Sequence, residues 1–299
     1  MFKKISMKVA VSVSVVLVAV MAVGTWYIVD QQGASLEMQL LERGRIEALV
    51  GAKLIGKVMD EAIDNGVFSV KDAFDQSYVP IPGFEPEKYH TKYDSYLDKA
   101  ILAMEDEFLQ DESVVYAVAV DVNGYLPTHN TRYQQPITGD KQKDLVGNRT
   151  KRIFNDPVGL KSVKNTEPYL LQIYPRDTGE TMWDISAPIL VKGKHWGGFR
   201  IGFSLEKTAQ AKVDLTRKLS VIMIVILLLA TGLVFVIVNR AMAPLAHLTE
   251  RAGQLADGKV EVKIQKNSDD EIGQLADVLE RLRVSLKAAM DRLTRTRPS

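Results

Sequence analysis

Between Leu126 and Pro168 the chain carries a basic stretch. Arg132, Lys141, Lys143, Arg149, Lys151 and Arg152 stand against three acids, Asp140, Asp144 and Asp156, before Glu167. Guanidinium groups hold carboxylates through charge-assisted, often paired hydrogen bonds. Strand alternation supplies a floor for such a site. It puts Asp184 and Ser186 on one side of one strand, Arg200 and Ser204 on the same side of its neighbour, and Gln172 and Tyr174 beside them. A loop as long as 126–168 is more often functional or disordered than idle. Folded over the polar face, it would close a positive cup. The expected ligand is a small anion such as a carboxylate, held by His129, Arg132, Arg149, Arg152, Tyr174, Asp184 and Arg200. The alternative is a solvated sheet face with ordinary surface charges.

The chain has four histidines and no cysteine. The missing thiols exclude disulfides, thiolate zinc sites, a cysteine nucleophile and covalent c-type haem. His129 is the expected ligand contact, or a contact to a non-covalent b-type haem. His195, at a strand start, reads as structural, as do Trp183 and Trp196; His247 reads as a packing or surface residue. No P-loop, G-x-S-x-G or H-E-x-x-H motif occurs, so no enzymatic activity and no obligate cofactor are expected. A net charge of +1 gives no global field for nucleic acid.

These residues must be positioned by the elements around them, and the two longest apolar runs set the frame. Val9 to Val29 and Leu219 to Val238 contain no charge. At about 1.5 Å per residue each spans a hydrocarbon core of roughly 30 Å. Lys3, Lys4 and Lys8 precede the first run, and Trp26 and Tyr27 lie at its far end. The positive-inside rule then puts the N-terminus in the cytoplasm. A cleaved signal peptide would have a shorter apolar region, about 7–15 residues, before a small-x-small site. Arg217 and Lys218 at the outer end of the second run can snorkel to headgroups. The expected order is a cytoplasmic N-terminus 1–8, a first span 9–29, an extracytoplasmic sensing domain 30–218, a second span 219–238, a relay module 239–293 and a tail 294–299.

Within 30–218 the pattern predicts an α+β domain. A long helix runs from about Gln32 to Asn65, followed by a helix Phe68–Gln76, an irregular loop around Pro80–Pro86 and a helix Tyr93–Gln110. Strands follow at Val114–Val120, Tyr169–Tyr174, Thr181–Leu190 and Trp196–Ser204. Ile185, Ala187, Phe199, Ile201 and Phe203 form the sheet face expected against the long helix.

After the second span, Pro244 precedes a short helix with a Leu245, Leu248, Ala252, Leu255 stripe. Asp257 and Gly258 end it. Val260, Val262 and Ile264 alternate in the connector, and Ser268, Asp269 and Asp270 are candidate caps for a helix striped by Ile272, Leu275, Leu279, Leu282, Leu286 and Met290. Two helices with one narrow seam each are expected to close a parallel four-helix bundle as a homodimer. With Asp270-Glu271-Ile272-Gly273 opening the second helix, residues 241–290 resemble the HAMP family. That resemblance implies signal relay through Pro244, Glu271 and Gly273.

The text Asp121-Val-Asn-Gly-Tyr125, Leu126-Pro-Thr-His-Asn130, Asn148-Arg-Thr-Lys-Arg-Ile-Phe154 and His195-Trp-Gly-Gly-Phe-Arg200 resembles single-Cache, PAS-like sensor domains of bacterial chemoreceptors. Together the resemblances imply the N-terminal half of a methyl-accepting chemotaxis-type receptor without its signalling domain. The expectation is an inner-membrane, multi-pass homodimer that takes a small-molecule ligand in the periplasm and passes the signal to a cytoplasmic partner or a missing output domain. A non-sensing scaffold for a partner receptor and a haem or redox sensor are the competing expectations.

Overall fold

The computed structural model describes residues 5–295. Lys3 and Lys4, invoked for orientation, and the end of the expected tail lie outside the described residues. Val29–Arg217 form one compact unit; the apolar start of the first helix, to Ile28, and the described chain from Lys218 form another.

The first unit begins within α1 (Ile5–Asp64), a single helix joining the expected span to the expected long helix. Then come α2 (Val70–Ala73), capped by Ser69, and a short hairpin of β1 (Val79–Ile81) and β2 (Lys88–His90). That hairpin lies where the prolines suggested only an irregular loop. The helix expected over 93–110 is broken into α3 (Asp94–Ala100), α4 (Leu102–Glu107) and a 3-10 turn, Phe108–Gln110. After β3 (Val114–Asp121) the long basic segment is ordered. It holds β4 (Tyr125–Leu126), a 3-10 turn Thr131–Tyr133, α5 (Lys141–Gly147), β5 (Arg152–Ile153) and α6 (Pro157–Val163). The strands β6 (Leu170–Pro175), β7 (Thr181–Val191) and β8 (Lys194–Ser204) complete an antiparallel sheet in the order β3-β8-β7-β6.

One sheet face carries the expected apolar set. Ile185, Ala187, Phe199, Ile201 and Phe203 are buried in one core with Ala48, Ala52, Ile55 and Met59 of α1. The helix comes very close: a Cβ on Gly51 would lie 2.2 Å from the Phe199 ring, so only glycine permits this approach. The other face is not solvated. Segment 126–168 lies over it, and Asp184, Ser186 and Arg200 are at most 4% exposed.

The edge strand β3 is sealed by side chains rather than by another strand. The Ala117 N–H donates to Asn130 Oδ1 at 3.0 Å and the Ala119 N–H to Glu105 Oε1 at 2.8 Å. Tyr133 donates its hydroxyl to the Val115 carbonyl at 3.0 Å. These bonds satisfy backbone groups that would otherwise be stranded beside the core.

The second unit contains the apolar parts of α1 and of α7 (Leu205–Ala256), and α8 (Glu271–Arg295). Both α1 and α7 have windows long and apolar enough to cross a membrane. Only 6% and 0% of those windows are buried, unlike the core helix of a soluble protein. α7 runs through Pro244 without a break, so the helix expected to begin after that proline is the end of a longer one.

Candidate ligand site and relay module

The floor of the site is the polar sheet face. Asp184 of β7 is fully buried and receives four protein donors: Tyr116 hydroxyl at 2.7 Å, Arg200 Nε at 3.1 Å, Gln172 Nε2 at 3.1 Å and the Ser162 hydroxyl. Burial works against its charge, but Arg200 and these bonds hold its carboxyl below the usual carboxylate range. Asp184 is therefore engaged by four protein donors and, unlike Arg200, is not among the residues that line the cavity described next.

Above the floor is a narrow cavity of about 30 Å³, lined by Tyr116, Val118, Val120, Leu126, His129, Arg149, Phe154, Tyr174, Arg176 and Arg200. Four of the expected residues, His129, Arg149, Tyr174 and Arg200, thus meet at one space. Arg149 reaches Asp177 with both terminal nitrogens, at 3.2 and 2.9 Å. Arg152 stands just behind: the guanidinium carbons of Arg149 and Arg152 both lie 4.8 Å from the Phe154 ring centre. Burial and the Arg149 charge push Arg152 down to about 10.

Arg132 does not join them. Its Nη2 donates to the Val114 carbonyl at 3.1 Å and to the Val115 carbonyl, so it caps the β3 edge. A cation of unknown partner reads the same in sequence whether it holds a ligand or a stranded carbonyl. Arg176, at the hairpin after β6, was missed. Its position beside Asp177-Thr178-Gly179 signalled only a turn, yet it is 6% exposed, bonded to Glu180 and stacked 4.7 Å over Tyr133.

Three buried nitrogens at this cavity have no hydrogen-bond partner: His129 Nδ1, Arg176 Nη2 and Arg200 Nη2. Buried polar atoms are nearly always satisfied, and three of those left open meet at this one space. Arg149, Arg176 and Arg200 line it, and Arg149 and Arg152 pair with Asp177, Arg200 with Asp184 and Arg176 with the half-exposed Glu180. Beside it, sharing Phe154 and Tyr174, opens a larger pocket of about 410 Å³ bordered by Asp156, Pro157 and Asp177.

In the second unit, Asp270 caps α8. Its Oδ1 accepts from the N–H groups of Ile272 at 3.0 Å and Gly273 at 3.1 Å, and from the Ser268 hydroxyl at 2.6 Å. A Cβ on Gly273 would fall 1.8 Å from the Ser268 carbonyl oxygen, which explains the glycine. Glu271 is exposed in the first turn, where helix dipoles favour acids. The connector is strapped to α8: Ile264 N–H donates to Glu280 Oε2 at 2.8 Å and Arg283 Nη1 to the Val260 carbonyl at 2.6 Å. Leu248, Ile264 and Ala276 are buried together, with Ile272 and Leu279 against them.

No curated protein matches the chain. Residues 236–288 match the HAMP domain family. A HAMP domain on a chain with two apolar helices and a sheet-bearing domain indicates a transmembrane signal-transduction sensor.

Proposed function

We propose that the chain is the sensing and relay part of a chemotaxis-type receptor, with a Cache/PAS-like domain in the periplasm that binds a small carboxylate. The observation that carries this reading is the convergence of three unpartnered buried donors, His129, Arg176 and Arg200, on one positively charged cavity. A carboxylate offers acceptors for all of them and balances the excess of guanidinium charge. The opposite wall, Val118, Val120, Leu126 and Phe154, suits a short apolar tail. No carboxylate is among the described residues lining the cavity. An α-ammonium group would lack its natural partner, which favours simple carboxylates over amino acids. A space of about 30 Å³ also suits such an anion better than a porphyrin on His129.

The relay follows from binding that favours one of two arrangements of the domain. The shift passes along α7 into the HAMP helices, whose packing is bistable, and then to a cytoplasmic partner. The chain acts as an inner-membrane homodimer: Leu275, Leu282 and Leu286 lie exposed along α8, and a second copy would cover them in a four-helix bundle. The domain organisation is as set out from the sequence, with no catalysis and no bound cofactor required.

Thermal unfolding of the full chain in detergent, with formate, acetate, pyruvate, glycine or phosphate, tests the ligand. A carboxylate at a hundred times its Kd should stabilise the fold by about 2.7 kcal/mol. Arg176→Gln should abolish that shift, and because Arg176 also bonds Tyr133 and Glu180 its unliganded transition should fall as well. If none of the anions shifts unfolding, the carboxylate reading fails.

A further inference from the structure

The anion cavity is small and closed. His129, Arg149, Tyr174 and Arg200 on its lining are at most 7% exposed. A single water needs roughly 10–15 Å³ of such space, so about 30 Å³ seats two or three water-sized groups. That is the scale of formate or acetate. The neighbouring pocket, at about 410 Å³, is far larger, and Ile153, Pro157, Val158 and Pro175 give it apolar walls. Such walls suit the tail of a longer carboxylate, just as the arginines next door suit its head.

Among the described residues only Phe154 and Tyr174 border both spaces. The two are not equivalent. Tyr174 belongs to the main sheet, where it pairs with Met182, and the Arg200 guanidinium lies over its ring at 5.1 Å. It is part of the anion site itself. Phe154 stands outside the main sheet, one residue past β5. Its N–H donates to the Gly124 carbonyl at 2.8 Å, which pins its backbone.

No hydrogen bond can hold a phenyl ring, and this one is braced by charge instead. The guanidinium groups of Arg149 and Arg152 each lie over it, 4.8 Å from its centre. A cation is attracted to the face of an aromatic ring. Both arginines are themselves tied down. Each donates from Nη1 to the Leu145 carbonyl at 3.2 Å, and both pair with Asp177. The ring is therefore a braced partition shared by a small charged space and a large apolar one.

We propose that Phe154 sets the length of the ligand: it confines the site to carboxylates with a short tail and denies longer ones the pocket next door. This rests on the proposed carboxylate site, of which it names the specificity-determining residue and the ligand feature that residue reads. Removing the ring joins the two spaces. A carboxylate head held by Arg176 and Arg200 can then lay its tail along Ile153, Pro157 and Val158.

Calorimetric titration of the full chain in detergent with acetate, pentanoate and 3-phenylpropanoate tests this, read as the ratio of Kd values within each protein. One misplaced methylene costs roughly 10–200-fold in selectivity, so wild type should prefer acetate to pentanoate by about tenfold or more. Phe154→Ala should erase or reverse that preference and admit 3-phenylpropanoate. Acetate itself should bind more weakly, because Arg149 and Arg152 lose the ring they pack on. A merely structural role for Phe154 would weaken all three acids alike, and that unchanged ratio overturns the inference. Wild type that binds pentanoate as tightly as acetate also overturns it and leaves the carboxylate site standing. Pentanamide, with the same tail and no charge, should gain nothing in Phe154→Ala; a gain equal to that of pentanoate would show only an apolar hole and overturn the inference. If Phe154→Ala does not fold, Phe154→Leu decides on the same ratio, which should fall between those of wild type and a joined site. No binding of any of the three acids to wild type overturns both readings.

Discussion

At the scale of single residues, two buried acids respond to burial in opposite ways, one under the cavity and one at the β3 edge. Asp184 is ionised and aims Arg200; its depressed value means that its contribution to stability is complete above the ordinary carboxylate value of 3.8 and is lost as pH falls below it. Asp184→Asn leaves the Arg200 charge buried without its counter-ion. Breaking such a pair from one side costs about 3–5 kcal/mol. Thermal unfolding should show a large drop in Tm, and carboxylate stabilisation should vanish. Glu105 does the reverse. Its raised value gives a contribution present below 4.5 and lost as pH rises through the folded-state value. Glu105→Gln keeps an oxygen for the Ala119 N–H, so its Tm should fall less steeply than wild type as pH rises from acid to neutral. An unchanged slope would show that Glu105 does not titrate against folding. The sequence exposed Arg200 and Arg149 through alternation and local charge. It gave no sign of the burial of Arg176 or of the Val114 and Val115 carbonyls that Arg132 meets, because both are decided by chain segments far apart.

At the scale of elements, β3 shows how an edge strand can be closed without a neighbour. Asn130 links the Ala117 N–H to the Glu105 carbonyl, and so ties β3, α4 and the turn that carries His129. Asn130→Ala strands both groups, each worth about 1–3 kcal/mol when buried and unpaired. A lowered Tm with weakened anion binding is expected; a lowered Tm with unchanged affinity would separate the edge from the site. The four main strands and the helix-facing apolar set were legible because period-two patterning is local. The β1–β2 hairpin was not, since Pro80 and Pro86 reads as punctuation and its partner strand has only three residues. The order within 126–168 was equally hidden: its short helices are held by caps such as Asp140 and Asp156, and their burial comes only from the sheet below.

At the scale of the whole molecule, the absence of native cysteine makes single introduced thiols clean reporters. In membranes, Leu282→Cys should crosslink to a second copy, whereas Asp277→Cys, nearly opposite the Ile272, Leu279 and Leu282 seam, should not. A carboxylate should change the Leu282→Cys rate if the signal reaches α8. Equal crosslinking at both positions, or none at either, would remove the proposed bundle. The HAMP segment was readable because its cap, connector and seam are encoded within one short stretch, with Asp270 and Gly273 placed where the backbone needs them.

The turn that bears His129 also seals the β3 edge through Asn130 and Tyr133, and this doubling restricts how the receptor can diversify. Relatives seeking other stimuli cannot freely rewrite that turn without unsealing the sheet. Variation in specificity should instead collect at the Phe154 wall, since Arg176 donates to the Tyr133 hydroxyl that seals the edge. Comparing natural variants would therefore show a fixed rim on one side of the cavity and a drifting one on the other.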